Sequence, residues 1–166
     1  MRISELFGKG KCVFSFEVFP PKQWDKIEGT KAVVKEMVKS HPAFMSVTYG
    51  AAGTTSGFTT EIAREILDDG VTPLAHLTCL TSTRDKIHQV VAELQENGIE
   101  NILALRGDRV EGVEPQKDFT YASDLCRYIA SQGDFDIAAI AALLQARCEK
   151  LTEIPEKVDF FDVCPE

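Results

Sequence analysis

Short apolar runs alternate along the chain with longer segments whose apolar residues recur every three or four positions. The runs are rich in β-branched and aromatic residues and predict four strands, at residues 12–19, 44–49, 74–80 and 102–105. The longer segments predict four amphipathic helices, at residues 24–39, 59–69, 83–97 and around 121–129. The resulting order is β-α-β-α-β-α-β-α.

Local signals indicate where several of these elements begin and end. Pro20-Pro21 closes the first strand and His41-Pro42 stops the first helix, because proline lacks an N–H and restricts the residue before it. Gly70 and Asn97-Gly98 are natural C-terminal stops for the next two helices. Thr83 is a candidate N-cap. None of these signals marks a hairpin between strands.

An alternation without hairpins implies right-handed crossovers and a parallel sheet. Each unit has about thirty residues, which suits either a doubly wound sheet or a (β/α)8 barrel. Polar residues lie on one face of each strand, mostly toward its C-terminal end: Ser15 and Glu17, Ser46 and Thr48, His76 and Thr78, and Arg106. A strand covered on both faces should be apolar throughout, so this pattern favours a barrel with its site at the strand C-termini. An open flavodoxin-like sheet would place its site at the same edge.

Composition narrows the function classes. The 166 residues suffice for one domain with a real core, and the formal charge of −8 argues against a general nucleic-acid binder. No apolar run is long enough for a membrane span and the start lacks a signal-peptide core, so we expect a cytoplasmic protein. Dispersed histidines and cysteines without a CxxC pair predict reduced thiols and no structural metal. The cysteines are Cys12, Cys79, Cys126, Cys148 and Cys164.

Four features could carry chemistry, and each has a plain structural alternative. Glu17 lies among phenylalanines, where a desolvated carboxyl can serve as an acid, or it is an edge-strand glutamate facing water. His76 contacts a ligand or is a satisfied core histidine. Tyr49 stacks on an aromatic ligand or caps the barrel. The loop 50–57 cradles phosphates or is simply flexible, and it matches no established nucleotide-binding motif.

The run Leu103 to Leu105 ends abruptly in Arg106, Gly107 and Asp108. Taken alone, this is a salt-bridged turn with a positive φ at the glycine. An acid, a tyrosine, a histidine and this turn nevertheless converge on one edge of the predicted sheet. Together they indicate a site for a flat, anionic ligand.

Five segments then resemble, in order and spacing, the signatures of the methylenetetrahydrofolate reductase family. They are Phe14-Ser15-Phe16-Glu17-Val18-Phe19-Pro20-Pro21-Lys22, Ser46-Val47-Thr48-Tyr49-Gly50-Ala51, Ala75-His76-Leu77-Thr78-Cys79, Ala104-Leu105-Arg106-Gly107-Asp108 and Tyr121-Ala122-Ser123-Asp124-Leu125. The resemblance covers residues 12–138 and implies the first half of an FAD-containing (β/α)8 barrel. In that family NADH or NADPH reduces the flavin, which passes a hydride to 5,10-methylenetetrahydrofolate and gives 5-methyltetrahydrofolate.

The resemblance also implies roles for individual residues. Glu17 matches the general acid that protonates the folate, so that its imidazolidine ring opens to an iminium. Asp108 matches the carboxylate near the pyrimidine end of the flavin, which also contacts the folate. Thr48 matches a contact on the nicotinamide side. The matches to flavin contacts are Tyr49, Ala51, His76, Arg106, Gly107, Tyr121 and Ala122.

The resemblance ends after residue 138. We therefore divide the chain into a partial (β/α)8 flavin-binding domain, residues 1–138, and a divergent tail, residues 139–166. The tail pattern predicts a helix from Ala138 to Cys148 and a strand from Val158 to Val163. A half barrel leaves two open sheet edges, so the chain is a fragment, or its tail caps the half barrel, or two copies or a second polypeptide complete it.

Overall fold

The computed structural model describes residues 1–7, 12–49, 56–109, 112, 114–140 and 158–161, with the backbone alone described at residues 56, 139–140 and 158–161. The strands are β1 (Ser15–Val18), β2 (Phe44–Val47), β3 (Thr72–Thr78), β4 (Asn101–Leu105), β5 (Asp136–Ile140) and β6 (Val158–Phe161). The helices are α1 (Ile27–Val38), α2 (Ser56–Asp68), α3 (Arg84–Glu96) and α4 (Ala122–Gln132), and short 3₁₀ helices span Ile3–Leu6 and Trp24–Lys26. In the described part of the chain, no helix combines the length and apolarity that a membrane crossing requires.

The six strands form one sheet in which every pairing is parallel and the spatial order is β1-β2-β3-β4-β5-β6. A doubly wound sheet reverses its strand order at a switch point. A barrel instead adds each strand beside the preceding one. The consecutive order confirms the predicted parallel (β/α) units of TIM-barrel type.

The prediction for the residues after Ile137 was wrong at residues 138–140, which the structure describes. The helix predicted from Ala138 is a strand through Ile140, and the rest of that prediction lies outside the described residues. Alanine and isoleucine fit a buried strand as well as a helix, and the pairing of β5 with β4, for example Ala139 beside Ala104, decides between them. β6 lies within the stretch where the sequence predicts a strand.

The two faces of the sheet have separate apolar cores. One face packs against the helices, and its core includes Val18, Val47, Leu77, Ile102, Ala104, Ile137, Val34, Ile62, Ile66, Ile87, Leu94, Leu125 and Ile129. The opposite face, which is the inner face of a barrel, carries a smaller core of Ile3, Leu74, Leu103 and Ala138. Side chains alternate between these faces along each strand, so polar residues among the inner positions point into the barrel.

The first six residues close the inner face at the N-terminal ends of the strands. Ile3 is 1% exposed, and its backbone N–H donates to Oδ1 of Asn101 (2.9 Å). The backbone N–H of Ser4 donates to Oδ2 of Asp136 (2.9 Å). Asn101 in turn donates from Nδ2 to the carbonyl oxygens of Met1 (3.1 Å) and Pro73 (3.2 Å). Among the described residues, this segment therefore blocks ligand access to the inner face from the N-terminal ends of the strands.

Candidate functional site

The C-terminal edge of the sheet brings Glu17 and His76 together. Glu17 lies on β1 and His76 on β3, and Ser46 of β2 lies between these strands in register with Glu17. Nε2 of His76 is 3.7 Å from Oε2 of Glu17. Two of the predicted site residues, 59 positions apart by their sequence numbers, thus meet on the inner face.

The two members of this pair differ in burial. The His76 side chain is 9% exposed, and burial lowers its pKa, while the negative charge of Glu17 acts in the opposite direction. Burial is the larger effect, so the imidazole is neutral at neutral pH. The structure therefore places a neutral ring, and not an imidazolium, beside the carboxyl group of Glu17.

Glu17 is not desolvated, contrary to the expectation from its phenylalanine neighbours. Its side chain is 47% exposed. The reason is that β1 is an edge strand, paired in the described sheet with β2 alone. Its assignment as the general acid stays a prediction.

Thr48 lies just past β2, close to this pair, and hydrogen bonds fix its backbone on two sides. Its N–H donates to the carbonyl oxygen of Val18 (3.0 Å), which continues the β1–β2 ladder. Its carbonyl oxygen accepts from Oγ1 of Thr59 on α2 (3.0 Å). A nicotinamide-side contact by Thr48, which the resemblance implies, would therefore come from a rigidly held position.

Tyr49 points away from the inner face. It is 8% exposed and belongs to the core between the sheet and the helices. Tyr49 therefore does not cap the barrel, and its predicted flavin contact stays a prediction. Ala51, with the small-residue loop around it, lies outside the described residues.

The turn after β4 is built differently from a salt-bridged turn. In the described residues Arg106 pairs with the backbone and not with Asp108: its Nε donates to the carbonyl oxygen of Thr120 (3.3 Å). Its own carbonyl oxygen accepts from the N–H of Leu80 (2.9 Å). Gly107 has the predicted positive φ, +80°. Asp108 is exposed at the tip of the turn.

The start of α4 lies against this turn. Oδ2 of Asp124 accepts from the backbone N–H groups of Thr120 (3.0 Å) and Tyr121 (2.9 Å), which fixes the entry to the helix. Tyr121 is 53% exposed and Ala122 is the first helical residue. The flavin-contact predictions at Arg106, Gly107, Tyr121 and Ala122 thus fall on two adjoining segments.

Cys79 joins these two segments, and sequence reasoning missed it. The residue is fully buried, and its Sγ lies 3.7 Å from the carbonyl oxygen of Arg106 and 3.6 Å from that of Tyr121. Burial raises the pKa of the thiol to about 11, so the thiol stays protonated and can donate to these carbonyls. The sequence analysis includes Cys79 in one of the five family signatures but gives it no role of its own.

Gly107→Ala is expected to destabilise the protein more than the matched control Gly112→Ala. Both glycines have a positive φ, +80° and +77°, but only at Gly107 would a Cβ meet a neighbour, 3.0 Å from Cβ of Thr78. The unfavourable φ alone costs about 1 kcal/mol in either variant, and the contact adds about 1 kcal/mol at Gly107. Urea denaturation measures the difference, and equal losses in the two variants would contradict it.

Comparisons of this chain with known proteins point to one family. The family model described as methylenetetrahydrofolate reductase matches residues 2–159. The chain is 36% identical over 151 residues to "Methylenetetrahydrofolate reductase (NADH) 1" of Zea mays, covering 87% of this chain and 26% of that protein. It is 35% identical over 134 residues to "5,10-methylenetetrahydrofolate reductase" of Escherichia coli (strain K12), covering 80% and 45%. The chain thus spans about a quarter of the plant relative and under half of the bacterial one.

Solved structures with much lower identity share the fold. A monomeric dihydrodipicolinate synthase variant superposes with a TM-score of 0.56 at 11% identity, covering 93% of this chain and 55% of that chain. A mandelate racemase/muconate lactonizing protein from Paracoccus denitrificans gives 0.52 at 9% identity, covering 78% and 34%. These are TIM-barrel-type folds. The matching model and the curated relatives together show that the chain belongs to the methylenetetrahydrofolate reductase family.

Proposed function

We propose that this protein takes part in FAD-mediated hydride transfer from NADH or NADPH to 5,10-methylenetetrahydrofolate, giving 5-methyltetrahydrofolate. Family membership supports the reaction class. The observation that carries the proposal for this chain is that Glu17 and neutral His76 lie together on the inner face, at the C-terminal edge of the sheet. That edge is where TIM-barrel enzymes hold their active sites.

The residues around α4 fit the diphosphate of FAD. The guanidinium of Arg106 is oriented through Nε, and among the described residues its two terminal nitrogens have no hydrogen-bond acceptor. Arginine binds phosphate oxygens in a bidentate manner. The first turn of a helix supplies backbone N–H groups and a positive dipole end, and α4 begins at Ala122 beside Thr120, which holds Arg106. When bound, FAD would accept a hydride from the nicotinamide and pass it to the folate.

Asp108 and Glu17 would act on the charge of the folate. Asp108 is an exposed carboxylate on the turn that also carries Arg106. A negative charge placed there favours the cationic iminium form of the substrate. Glu17 would donate the proton that opens the imidazolidine ring. His76, which burial keeps neutral, contributes no positive charge beside this carboxyl group.

Flavin uptake and reduction test this function. The purified chain, mixed with FAD and passed over a desalting column, is expected to retain flavin absorbance. The absorbance should bleach without oxygen on adding NADH or NADPH, and return with 5-methyltetrahydrofolate when 5,10-methylenetetrahydrofolate is added. A well-folded protein that retains no FAD, alone or with a completing partner, would contradict the proposal.

A second candidate function is that of a half-barrel subunit that turns over only in an assembly, or serves assembly alone. The 47% exposure of Glu17 favours it, because a general acid works best when shielded from water. Under this candidate, FAD uptake and turnover would appear only when a partner covers the edge of β1. Native mass spectrometry during the flavin experiment separates the two candidates.

A further inference from the structure

We propose that Arg84, the first residue of α3, is a positioning residue for the FAD site. It holds the segment just before α4, so that the carbonyl oxygen of Thr120 orients the guanidinium of Arg106. Arg84 lies outside the five segments that resemble the family signatures, and it acts through Thr120 rather than by contact with flavin or folate. The effect on FAD rests on the proposed function, whereas the effect on Arg106 does not.

Arg84 contacts two consecutive residues of this segment with two different parts of its structure. Its backbone N–H donates to Oδ2 of Asp118 (2.9 Å), which satisfies one of the free N–H groups of the first helical turn. Its guanidinium lies over the ring of Phe119, with Cζ 5.4 Å from the ring centroid. Thr120 is the next residue. A single residue of α3 thus holds the chain immediately before the carbonyl group that accepts from Arg106.

A second aromatic ring extends this contact to α4. Tyr128 packs edge-on against Phe119, with 5.5 Å between the ring centroids and an interplanar angle of 63°. Cζ of Arg84 is also 5.4 Å from the centroid of the Tyr128 ring. Phe119 is 2% exposed, while Arg84 is exposed. Because a cation is attracted to the negative face of an aromatic ring, Arg84 links α3, the buried Phe119 and α4 at the surface.

The hydrogen bond that depends on this segment is a long one. Nε of Arg106 is 3.3 Å from the carbonyl oxygen of Thr120, just beyond the usual range for an N–H···O bond. The N–H of Thr120 donates to Oδ2 of Asp124 (3.0 Å), which holds this residue from the side of α4. The residues before Thr120 therefore decide how well its carbonyl oxygen is aimed at Arg106.

Backbone bonds at both ends limit what the loss of Arg84 can do. At the start of the segment, the N–H of Gln116 donates to the carbonyl oxygen of Leu80 (2.8 Å). At its end, Asp124 accepts from Thr120. Without the guanidinium the segment would keep these two attachments and could shift between them. We therefore expect a local change at Arg106 and not a loss of the fold.

Arg84→Met tests the proposal. Methionine keeps an unbranched side chain and a similar helix propensity but carries no positive charge. Lys86→Met is the matched control, because it removes one positive charge from the same turn of α3. A purely electrostatic effect on an anionic ligand should therefore appear in both variants.

The first measurement uses the flavin-free protein. NMR detects the Nε–H group of Arg106, and Arg106→Lys assigns its signal. Exchange of this proton with water should become about fivefold faster in Arg84→Met, equivalent to about 1 kcal/mol, because two exposed cation–π contacts are lost. Lys86→Met should leave the rate unchanged. An unchanged rate in a folded Arg84→Met protein would overturn the proposal.

The second measurement compares FAD with riboflavin, which has the same ring system but no phosphate. Isothermal titration calorimetry should show that Arg84→Met raises the Kd for FAD about fivefold and leaves the Kd for riboflavin unchanged. Arg84→Lys should recover part of the FAD affinity, because its ammonium group can still lie over the rings. Equal weakening of both flavins, or equal weakening of FAD binding by Lys86→Met, would overturn the positioning role.

The two proposals fail separately. A protein that binds no FAD, but in which Arg84→Met accelerates proton exchange at Arg106, would refute the proposed function and leave the effect of Arg84 on Arg106 standing. FAD binding that is identical in the unsubstituted protein and in Arg84→Met would refute the positioning role and leave the proposed function standing.

Discussion

Replacing Glu17 by glutamine is expected to slow reduction of 5,10-methylenetetrahydrofolate by about 10²–10⁴-fold, the usual contribution of a general acid. Glutamine keeps the size of the side chain and its acceptor oxygen but has no acidic proton to give. Reduction of the flavin by NADH or NADPH needs no such proton, so it should change less than about twofold. Stopped-flow absorbance measures the two half-reactions separately, on the chain or on its complex with a completing partner.

Glu5→Gln is the control for this substitution. Glu5 is exposed on the 3₁₀ helix that closes the opposite end of the strands. It should leave both half-reactions unchanged. If Glu17→Gln slows both half-reactions equally, Glu17 has a structural or electrostatic role and the acid assignment is wrong.

Asn101→Leu is expected to lower the free energy of unfolding by about 3 kcal/mol, because each buried backbone group left unpaired costs about 1–3 kcal/mol. Asn101 is 2% exposed and its side chain makes three hydrogen bonds, with the N–H of Ile3 and the carbonyl oxygens of Met1 and Pro73. Leucine has a similar volume but satisfies none of these groups. Urea denaturation followed by circular dichroism measures the loss.

Asn97→Leu provides the comparison. Asn97 ends α3, is only partly buried, and donates one local hydrogen bond to the carbonyl oxygen of Glu93 (2.8 Å). Its replacement should cost no more than about 1 kcal/mol. A loss at Asn101 no larger than the loss at Asn97 would show that the closure by the first six residues contributes little to stability.

Elements with strong local signals could be predicted from the sequence. In α3 the four apolar residues at helical spacing, Ile87, Val90, Val91 and Leu94, are all buried, and Oγ1 of Thr83 accepts from the N–H of Lys86 as an N-cap should. The periodicity and the cap act within one helix and need no distant partner. The parallel order of the strands could also be predicted from the sequence, because crossover connections between parallel strands are almost always right-handed.

The stretch from Ala138 could not be assigned in this way. Its alanines and isoleucine carry no turn residue and no polar alternation, so helix and buried strand are equally compatible with them. The choice between helix and strand depends on β4, whose edge pairs with β5, for example Asn101 with Asp136. That information lies 35 residues away in the chain.

The candidate site was predictable as a location but not in its details. Polar residues at strand ends predicted that Glu17 and His76 share the C-terminal edge, and the structure brings them within 3.7 Å of each other there. Whether a particular side chain faces inward depends on the last paired residue of its strand, since neighbours alternate. Tyr49 consequently enters the helix-side core. The exposure of Glu17 depends on whether another element covers β1, and the residues next to Glu17 in the sequence cannot indicate that.

The closure by the first six residues has a consequence for how the chain folds during synthesis. Ile3 and Ser4 bond to partners 98 and 132 positions later in the chain. Residues 1–6 are synthesised before these partners, yet they can dock only after β4 and β5 have emerged from the ribosome. Contacts across such long separations form slowly, because a large loop must close before they contribute. The inner face therefore stays open at its base until β5 has been synthesised, and residues 1–6 reach their final positions only after the strands that they contact.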